Sequence, residues 1–363
     1  MSLLNRLKGA SYGSISKAQQ LLADSDFFNS SDCVQTRIPA LNIALGGDVN
    51  GGIVSGLCIF AADSKHFKSN FCLQMVSAYL ERYDDALCIF YDSEFGVTPA
   101  YLASMRVDAK RVLHIPITNI EELKFDLIKK LEEIKPEDHV IIMIDSIGNL
   151  ASKKELEDAI NDKSAADMTR AKALKSLGRM ITPYLTIKQV PILAVNHVYE
   201  TQEMYSKQIM SGGKGMMLSA NTVFFISKAQ DKDGTELKGY HFTLIAHKSR
   251  FVRENAKIPI TVSFDNGIAK WSGMPDIAKM LGWLTMPSNG WYRIANPDTG
   301  EIIVEKIRMK DLTESDEVWK QALDAGFNDA IKQHYQLGQK PLAIEETTEH
   351  EAIEESEDDD LES

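Results

Sequence analysis

The sequence predicts an α/β protein: a mostly parallel twisted sheet flanked by helices, with antiparallel strands at one edge and a small C-terminal lobe. Three observations predict it. Between about residues 33 and 264, short apolar runs alternate with amphipathic segments, which implies strand–helix–strand units and a parallel sheet covered on both faces. From residue 222 the apolar runs follow one another with only turns between, which reads as antiparallel strands at the sheet edge. Beyond residue 270 the chain becomes Trp-rich, with Trp271, Trp283, Trp291 and Trp319.

Residues 1–30 read as a short amphipathic arm, with Ile15, Ala18, Leu21 and Leu22 at helical spacing. Residues 31–270 are assigned to the core. Its strands are expected at 57–61, 86–92, 112–116, 140–145 and 190–196, each a short apolar run suited to burial on both faces. The clearest helix is 120–134, where Leu123, Leu127, Ile128 and Leu131 make one stripe. Segments 222–227, 241–246 and 258–264 are the antiparallel strands. Residues 271–340 form the lobe, and 341–363 an acidic, disordered tail.

At 44% hydrophobic and 25% charged residues, the composition is that of a globular soluble chain. No apolar run reaches the roughly 18 residues of a membrane span, and the start lacks the apolar core of a signal peptide. The four cysteines form no CxxC pair and lie mostly in apolar runs, as expected of reduced thiols in the cytosol. Net charge is −12, yet residues 344–363 alone hold eleven acids and no Lys or Arg. The body is therefore nearly neutral, and any nucleic-acid contact must come from local basic loops. The tail itself could compete with phosphates for those loops.

Residues 60–70 end an apolar strand and open a helix at Lys68, the setting in which backbone N–H groups cradle phosphates. Lys68 and Ser69 stand where the pattern GxxxxGK[ST] wants its Lys and Ser/Thr, but Ala62 and Phe67 replace its glycines. Two more strands end in acids: 86–92 delivers Asp92 and, two residues on, Glu94, and 140–145 delivers Asp145. In an open parallel sheet ligands gather beyond the carboxyl ends of strands, so these groups would share a pocket. Asp145 would hold a Mg²⁺ that the Ser69 hydroxyl also touches, and Glu94 could deprotonate an attacking water. An Asp after a strand is often only a helix cap and a lone Glu is usually surface. Three such pieces at successive strand ends favour a nucleotide site, with Asp63, Ser64, Lys65, His66, Phe67 and Asn70 completing the loop.

Two segments interrupt the regular pattern. Residues 151–163 are polar and of mixed charge, including Lys153 and Lys154, and the helix behind them carries Arg170, Lys172, Lys175 and Arg179. Such a stripe is more often a solvated face. Residues 198–215 combine Tyr199 and Tyr205, which can stack on bases, with Lys207 and Lys214, which can neutralise phosphates, and with the mobile pair Gly212–Gly213. A plain flexible loop has the same composition.

Several runs together give a resemblance: Ile43-Ala-Leu-Gly46, Phe67-Lys-Ser-Asn70, Tyr91-Asp-Ser-Glu-Phe-Gly-Val-Thr-Pro-Ala-Tyr101, Ile144-Asp-Ser-Ile-Gly-Asn-Leu-Ala-Ser-Lys-Lys154 and Gly212–Gly213. Over roughly residues 30–340 they are similar to the RecA-type recombinases, most closely the UvsX-type recombinases of bacteriophages. Phe67 fits that phage branch. Ala62 departs from the family's glycine, and its methyl group is tolerated only where the backbone angles are ordinary.

The resemblance implies a RecA-like P-loop ATPase core that binds ATP and Mg²⁺. Lys68 would contact the β and γ phosphates, Ser69 and Asp145 would place the metal, Glu94 would be the general base, and Tyr101 would stack on adenine. His197 would be the γ-phosphate sensor that opens the second DNA loop. Lys248 and Arg250 match basic residues that reach the nucleotide of a neighbouring subunit; by themselves they read as ordinary strand-end charges. Segments 151–163 and 198–215 match two DNA-binding loops, and residues 1–30 a subunit contact. Partners implied are single-stranded DNA, homologous duplex, further copies of the chain in a helical polymer, a single-strand-binding protein and a recombination mediator, in the cytoplasm of an infected bacterium.

The function expected is thus a DNA-dependent ATPase and homologous recombinase. Two alternatives keep the fold: a DNA-binding filament protein with a dead ATPase, and a hexameric helicase. The retained Lys68, Ser69, Glu94 and Asp145 argue against the first, and the Gly-Gly loop against the second.

Overall fold

The computed structural model describes residues 6–7, 33–161, 168–201 and 208–338. The arm at 1–30, the acidic tail, Tyr205 and Lys207 therefore lie outside the described residues, apart from Arg6 and Leu7.

Apolar residues at consecutive positions decide the architecture. A strand whose every residue is buried must have both faces covered, and this is the state of β4 (Val140–Asp145) and β5 (Pro191–Asn196). With β1 (Gly56–Ala61), β2 (Leu87–Asp92) and β3 (Val112–Pro116), they make five parallel strands in the order β1-β5-β4-β2-β3. Helices provide the cover: α1 (Pro39–Gly46), α2 (Lys68–Arg82), α3 (Pro99–Ser104), α4 (Ile120–Glu133), α6 (Met168–Ile187) and α7 (Lys214–Ser219), while α5 (Lys153–Ile160) buries none of its residues. In α4 the expected stripe is real: Asn119 caps the first turn by accepting from the Glu122 N–H, and Leu123, Leu127 and Leu131 are fully buried.

A short hairpin of β6 (Val198–Glu200) and β7 (Gln208–Met210) follows β5. The sheet is then extended by β8 (Thr222–Asp233), β9 (Glu236–Ser249) and β10 (Lys257–Ser263), which are longer than or shifted from the expected spans. β8 pairs antiparallel with β9, and β9 with β10, as expected of the sheet edge; β8 also pairs parallel with β1, so it belongs to both parts of the sheet, and β9 is the strand that runs against the rest.

Alternation along β1 creates two cores. Leu57, Ile59 and Ala61 face a layer built with α4 and α6, including Leu127, Leu177 and Ile181. Phe60 faces the other side, with Phe71 of α2, Phe224 and Phe242. That second core runs without a break into the C-terminal lobe, whose Trp271, Trp283, Trp319 and Phe327 stack on one another. The lobe comprises α8 (Met274–Met280), the antiparallel strands β11 (Leu284–Ser288), β12 (Trp291–Ala295) and β13 (Ile302–Ile307), then α9 (Met309–Glu314), α10 (Asp316–Ala322) and α11 (Asn328–Tyr335). Trp291 is the exception among its tryptophans: it is only half-buried, with Lys306 and Arg308 over its ring.

Cys58, Cys72 and Cys88 are free thiols, and Cys33 Sγ donates to the Asn50 carbonyl at 3.2 Å. No described helix is long and apolar enough to cross a membrane. Because β1, β5, β4 and β2 are parallel and in register, with Ala61 beside Asn196 and Asp92 beside Asp145, their carboxyl ends form one continuous edge.

Candidate active site

The loop between β1 and α2 is shaped by two left-handed residues that are not glycine. Lys65 has φ 61° and Phe67, the N-cap of α2, has φ 62°. That conformation disfavours an L side chain by about 1–2 kcal/mol. Aromatic packing offsets the cost at Phe67: its ring stacks on Phe242 at 5.3 Å and meets Phe71 edge-on at 5.5 Å. Lys228 holds the other side by donating to the Lys65 carbonyl at 3.2 Å. Ala62 is fully buried and is not among the left-handed residues, so the methyl group in place of the family's glycine carries no backbone strain.

Lys68 is buried at the start of α2, and its Nζ turns back to donate to the carbonyls of Ala62 (3.1 Å) and Asp63 (2.7 Å). Burial lowers its pKa, while Glu94, Asp145 and Asp63 oppose that shift. The ammonium therefore sits among three carboxylates at the mouth of the loop. Among the remaining loop residues, His66 Nδ1 lies 3.0 Å from the Ser64 carbonyl. Asn70 hydrogen-bonds Tyr101 of α3, whose phenol pKa is raised by burial.

Asp145, the last residue of β4, is buried and joined to Ser146 by a cis peptide. Burial pushes its carboxyl up to about 6; the Ser69 hydrogen bond and Lys68 pull the other way. Its Oδ1 has no hydrogen-bond partner among the described residues. A buried carboxylate with one oxygen unmatched, beside a serine hydroxyl, is the donor set a hard divalent cation accepts. Ser69 and Asp145 thus fit Mg²⁺.

Glu94 stands two residues past the end of β2. Asp92, almost fully buried, fixes the turn: its Oδ1 accepts from the backbone N–H of Glu94 (3.0 Å) and Phe95 (2.7 Å), and its Oδ2 lies 3.0 Å from His114 Nε2. The Glu94 carboxylate is held from two sides, by His197 Nε2 and Asn149 Nδ2, each 3.1 Å from Oε1. The His197 bond, with a further one from Ser146, lowers the Glu94 pKa. So Lys68, Ser69, Glu94, Asp145, Tyr101 and His197 converge on one edge of the sheet.

Lys248 and Arg250 do not join them. Arg250 donates its backbone N–H to Asn221, whose own N–H bonds Leu57, so Arg250 flanks the opposite end of β1, while Lys248 pairs with Val223, level with Ile59. Five residue steps of strand lead from Leu57 to Ala62, about 16 Å. Lys248 is engaged within the chain, its Nζ donating to the carbonyls of Met217, Leu218 and Ala220 at the C-terminal end of α7. Burial, then Arg250, lowers its pKa.

The two interrupting segments both leave the same edge as the site. The first is not a loop in its middle: Ser152 and Glu155 form a capping box, and α5 follows with Lys153 and Lys154 exposed in its first turn. The second begins as the β6–β7 hairpin, with Tyr199 exposed, and passes through Gly212 and Gly213 (φ 82° and 77°) to the exposed Lys214. Arg170, expected among the DNA contacts, is spent on the fold. Its guanidinium donates to the carbonyls of Ile147, Gly148 and Leu150 and to Ser211 Oγ, bracing the two segments together. Lys172, Lys175 and Arg179 line an exposed face of α6. Sequence reasoning missed Asn149 and the brace at Arg170. An amide in the otherwise apolar turn 147–150 was the available signal.

Comparison with known proteins accords with this geometry. Residues 12–269 match the RecA N-terminal domain, and residues 271–331 match the C-terminal domain of the bacteriophage T4 recombination and repair protein. The chain is 52% identical over 330 residues to the recombination and repair protein of Enterobacteria phage T4, covering 90% of this chain and 84% of that one. It is 23% identical over 277 residues to protein RecA of Aquifex aeolicus, covering 74% and 76%. Protein RecA of Synechococcus sp. (strain CC9902) matches at 23% over 273 residues, covering 74% and 70%.

Proposed function

The chain belongs to the RecA family, and we propose that it is a recombinase that hydrolyses ATP when assembled as a helical polymer on single-stranded DNA. The convergence of Lys68, Ser69, Glu94 and Asp145 at adjoining strand ends, beside the roots of both interrupting segments, carries this reading. Residues 63–70 would cradle the phosphates with backbone N–H groups, and Lys68 would exchange its loop carbonyls for β- and γ-phosphate oxygens. Mg²⁺, held by Ser69 and Asp145, would offset charge developing on the phosphates. Glu94, kept ionised at neutral pH, would accept the proton of the attacking water. Tyr101 would stack on the base.

His197 would report the γ-phosphate to segment 198–215, which it opens. Lys248 and Arg250, remote from their own subunit's loop, would serve the nucleotide of a neighbour, so hydrolysis would require assembly. Lys153, Lys154, Tyr199, Lys214 and the Gly212–Gly213 pair would contact DNA, while Arg170 would hold those contacts in place. Strand exchange then needs homologous duplex; a single-strand-binding protein and a mediator would act on the same polymer.

The test is ATP turnover with and without single-stranded DNA, with Lys68→Ala as control. Turnover stimulated by DNA and lost in the variant is expected. DNA binding with no turnover would replace this reading by that of an inactive filament protein. Closed rings in micrographs would replace it by that of a ring helicase.

A further inference from the structure

We propose that Asn149 is a positioning residue that restrains the Glu94 carboxylate in the DNA-free protein, so that the first interrupting segment, and not only the second, controls hydrolysis. The proposal rests on the reading of Glu94 as general base. Beside the Ser146 hydroxyl, Asn149 and His197 each donate an N–H to Glu94, and the two reach the same oxygen, Oε1, from different elements. His197 follows β5 and begins the segment at 198–215, whereas Asn149 follows β4 and stands three residues before Ser152, the cap of α5. Each DNA-facing segment thus holds the carboxylate by one hydrogen bond at its root.

The surrounding backbone makes Asn149 follow its segment. Arg170 grips the carbonyls of residues 147, 148 and 150, on both sides of Asn149, and also Ser211 in the second segment. Gly148 packs so closely on the other turn that a Cβ there would lie 2.5 Å from the His197 ring and 3.0 Å from the Asn196 amide oxygen. Ala151 continues the turn by pairing with Asn119, and Lys153 donates its backbone N–H to Glu121, so α5 is linked to the N-terminus of α4. A displacement of α5 or of the hairpin is therefore transmitted to residues 147–150 as a unit.

The chemistry gives the restraint its sense. A carboxylate oxygen that already accepts two N–H donors is a weaker proton acceptor than a free one, because both bonds favour its charged form. A water that is to be deprotonated must also compete for the same lone pairs. DNA drawing α5 away from the sheet removes the Asn149 bond and frees one acceptor site on Oε1.

The experiment measures turnover of full-length protein at saturating ATP, with and without single-stranded DNA, for the wild type, Asn149→Ala and Asn149→Asp. One lost hydrogen bond to a charged group corresponds to roughly a 10- to 150-fold change. DNA-free turnover should rise by about that factor in Asn149→Ala, with the DNA-stimulated rate near that of the wild type, so the stimulation ratio falls. Asn149→Asp, which keeps the shape but repels Glu94, should raise DNA-free turnover at least as much, and serves if the Ala variant misfolds. Unchanged DNA-free turnover in either folded variant overturns the proposal, as does a proportional fall in both rates. An absence of turnover in the wild type would instead overturn the assignment of Glu94, so the two failures are distinguishable.

Discussion

Replacing Asp145 by Asn should stabilise the nucleotide-free protein at neutral pH while abolishing turnover, and the structure sets the size of the gain. Burial lifts this carboxyl from an ordinary 3.8 to about 6, and Glu94 and Asp92 add to the lift. Lys68, the cation that acts on it, donates to loop carbonyls, and Asp145 Oδ1 accepts from no described residue. Between pH 3.8 and 6 the folded protein holds a proton that the unfolded chain has released, so stability falls as pH rises through that window and the full cost is present above it. At about 1.4 kcal/mol per tenfold, the cost is about 3 kcal/mol at pH 8 and about half that at pH 5. Asn keeps the shape and never ionises. Guanidinium unfolding of the EDTA-treated, nucleotide-free proteins should show the advantage of Asp145→Asn growing by about 1–1.5 kcal/mol from pH 5 to pH 8. An advantage that stays level or shrinks would mean that the ionised carboxylate is already compensated in the folded chain, and the argument for an unmatched metal-seeking oxygen would fail with it.

Phe67→Gly restores the glycine of the phosphate-loop pattern, yet it should lower stability. Relief of the left-handed backbone returns about 1 kcal/mol, whereas losing the ring stacked on Phe242 and Phe71 costs about 2–3 kcal/mol, a net loss visible as a lower melting temperature. Lys248→Met removes a charge from three carbonyls at the end of α7, and hydrogen exchange across residues 214–220 should quicken, with about 1 kcal/mol lost. The two glycines of the second segment should respond differently to Ala. A Cβ at Gly212 would lie 2.2 Å from Leu174, while one at Gly213 meets nothing nearer than Ala171 at 3.9 Å. Gly212→Ala should therefore melt several degrees below Gly213→Ala, which bears only the backbone cost.

The parallel half of the sheet was legible because buried strands write themselves as apolar runs: 112–116 and 140–145 coincide with β3 and β4, and the other three differ by one residue at their starts. The partners of β8 were not. Its neighbours in sequence are reached by turns, but its pairing with β1 spans more than 160 residues, and no local pattern records that contact. The same limit applies at the site. Strand-end residues such as Asp145 announce themselves, since an acid after an apolar run stands out, and the topology brings them to one edge. Asn149 and Arg170 work through bonds to backbone carbonyls and to a distant carboxylate, which composition cannot show. The capping box of α5 was present in the letters as Ser152 and Glu155, yet the polar character of the segment outweighed it.

If hydrolysis depends on assembly, as proposed above, the opposite ends of β1 explain why a single chain would carry an incomplete site. Every group placed to bind, orient or deprotonate around the phosphate loop lies at the carboxyl edge of the parallel strands, whereas Arg250 lies at the other edge and the Lys248 ammonium is turned toward it, to the end of α7. On the reading proposed above, these two cations do not serve the nucleotide of their own subunit. In a polymer that stacks the carboxyl edge of one chain against the amino edge of the next, the same separation becomes the means by which they reach it. The Lys248 side chain must then leave the end of α7, which directly follows the Gly212–Gly213 turn. On that reading, nucleotide at the interface and the position of the second interrupting segment would compete for one ammonium group, a link between assembly and DNA that follows from where the fold puts each end of a strand.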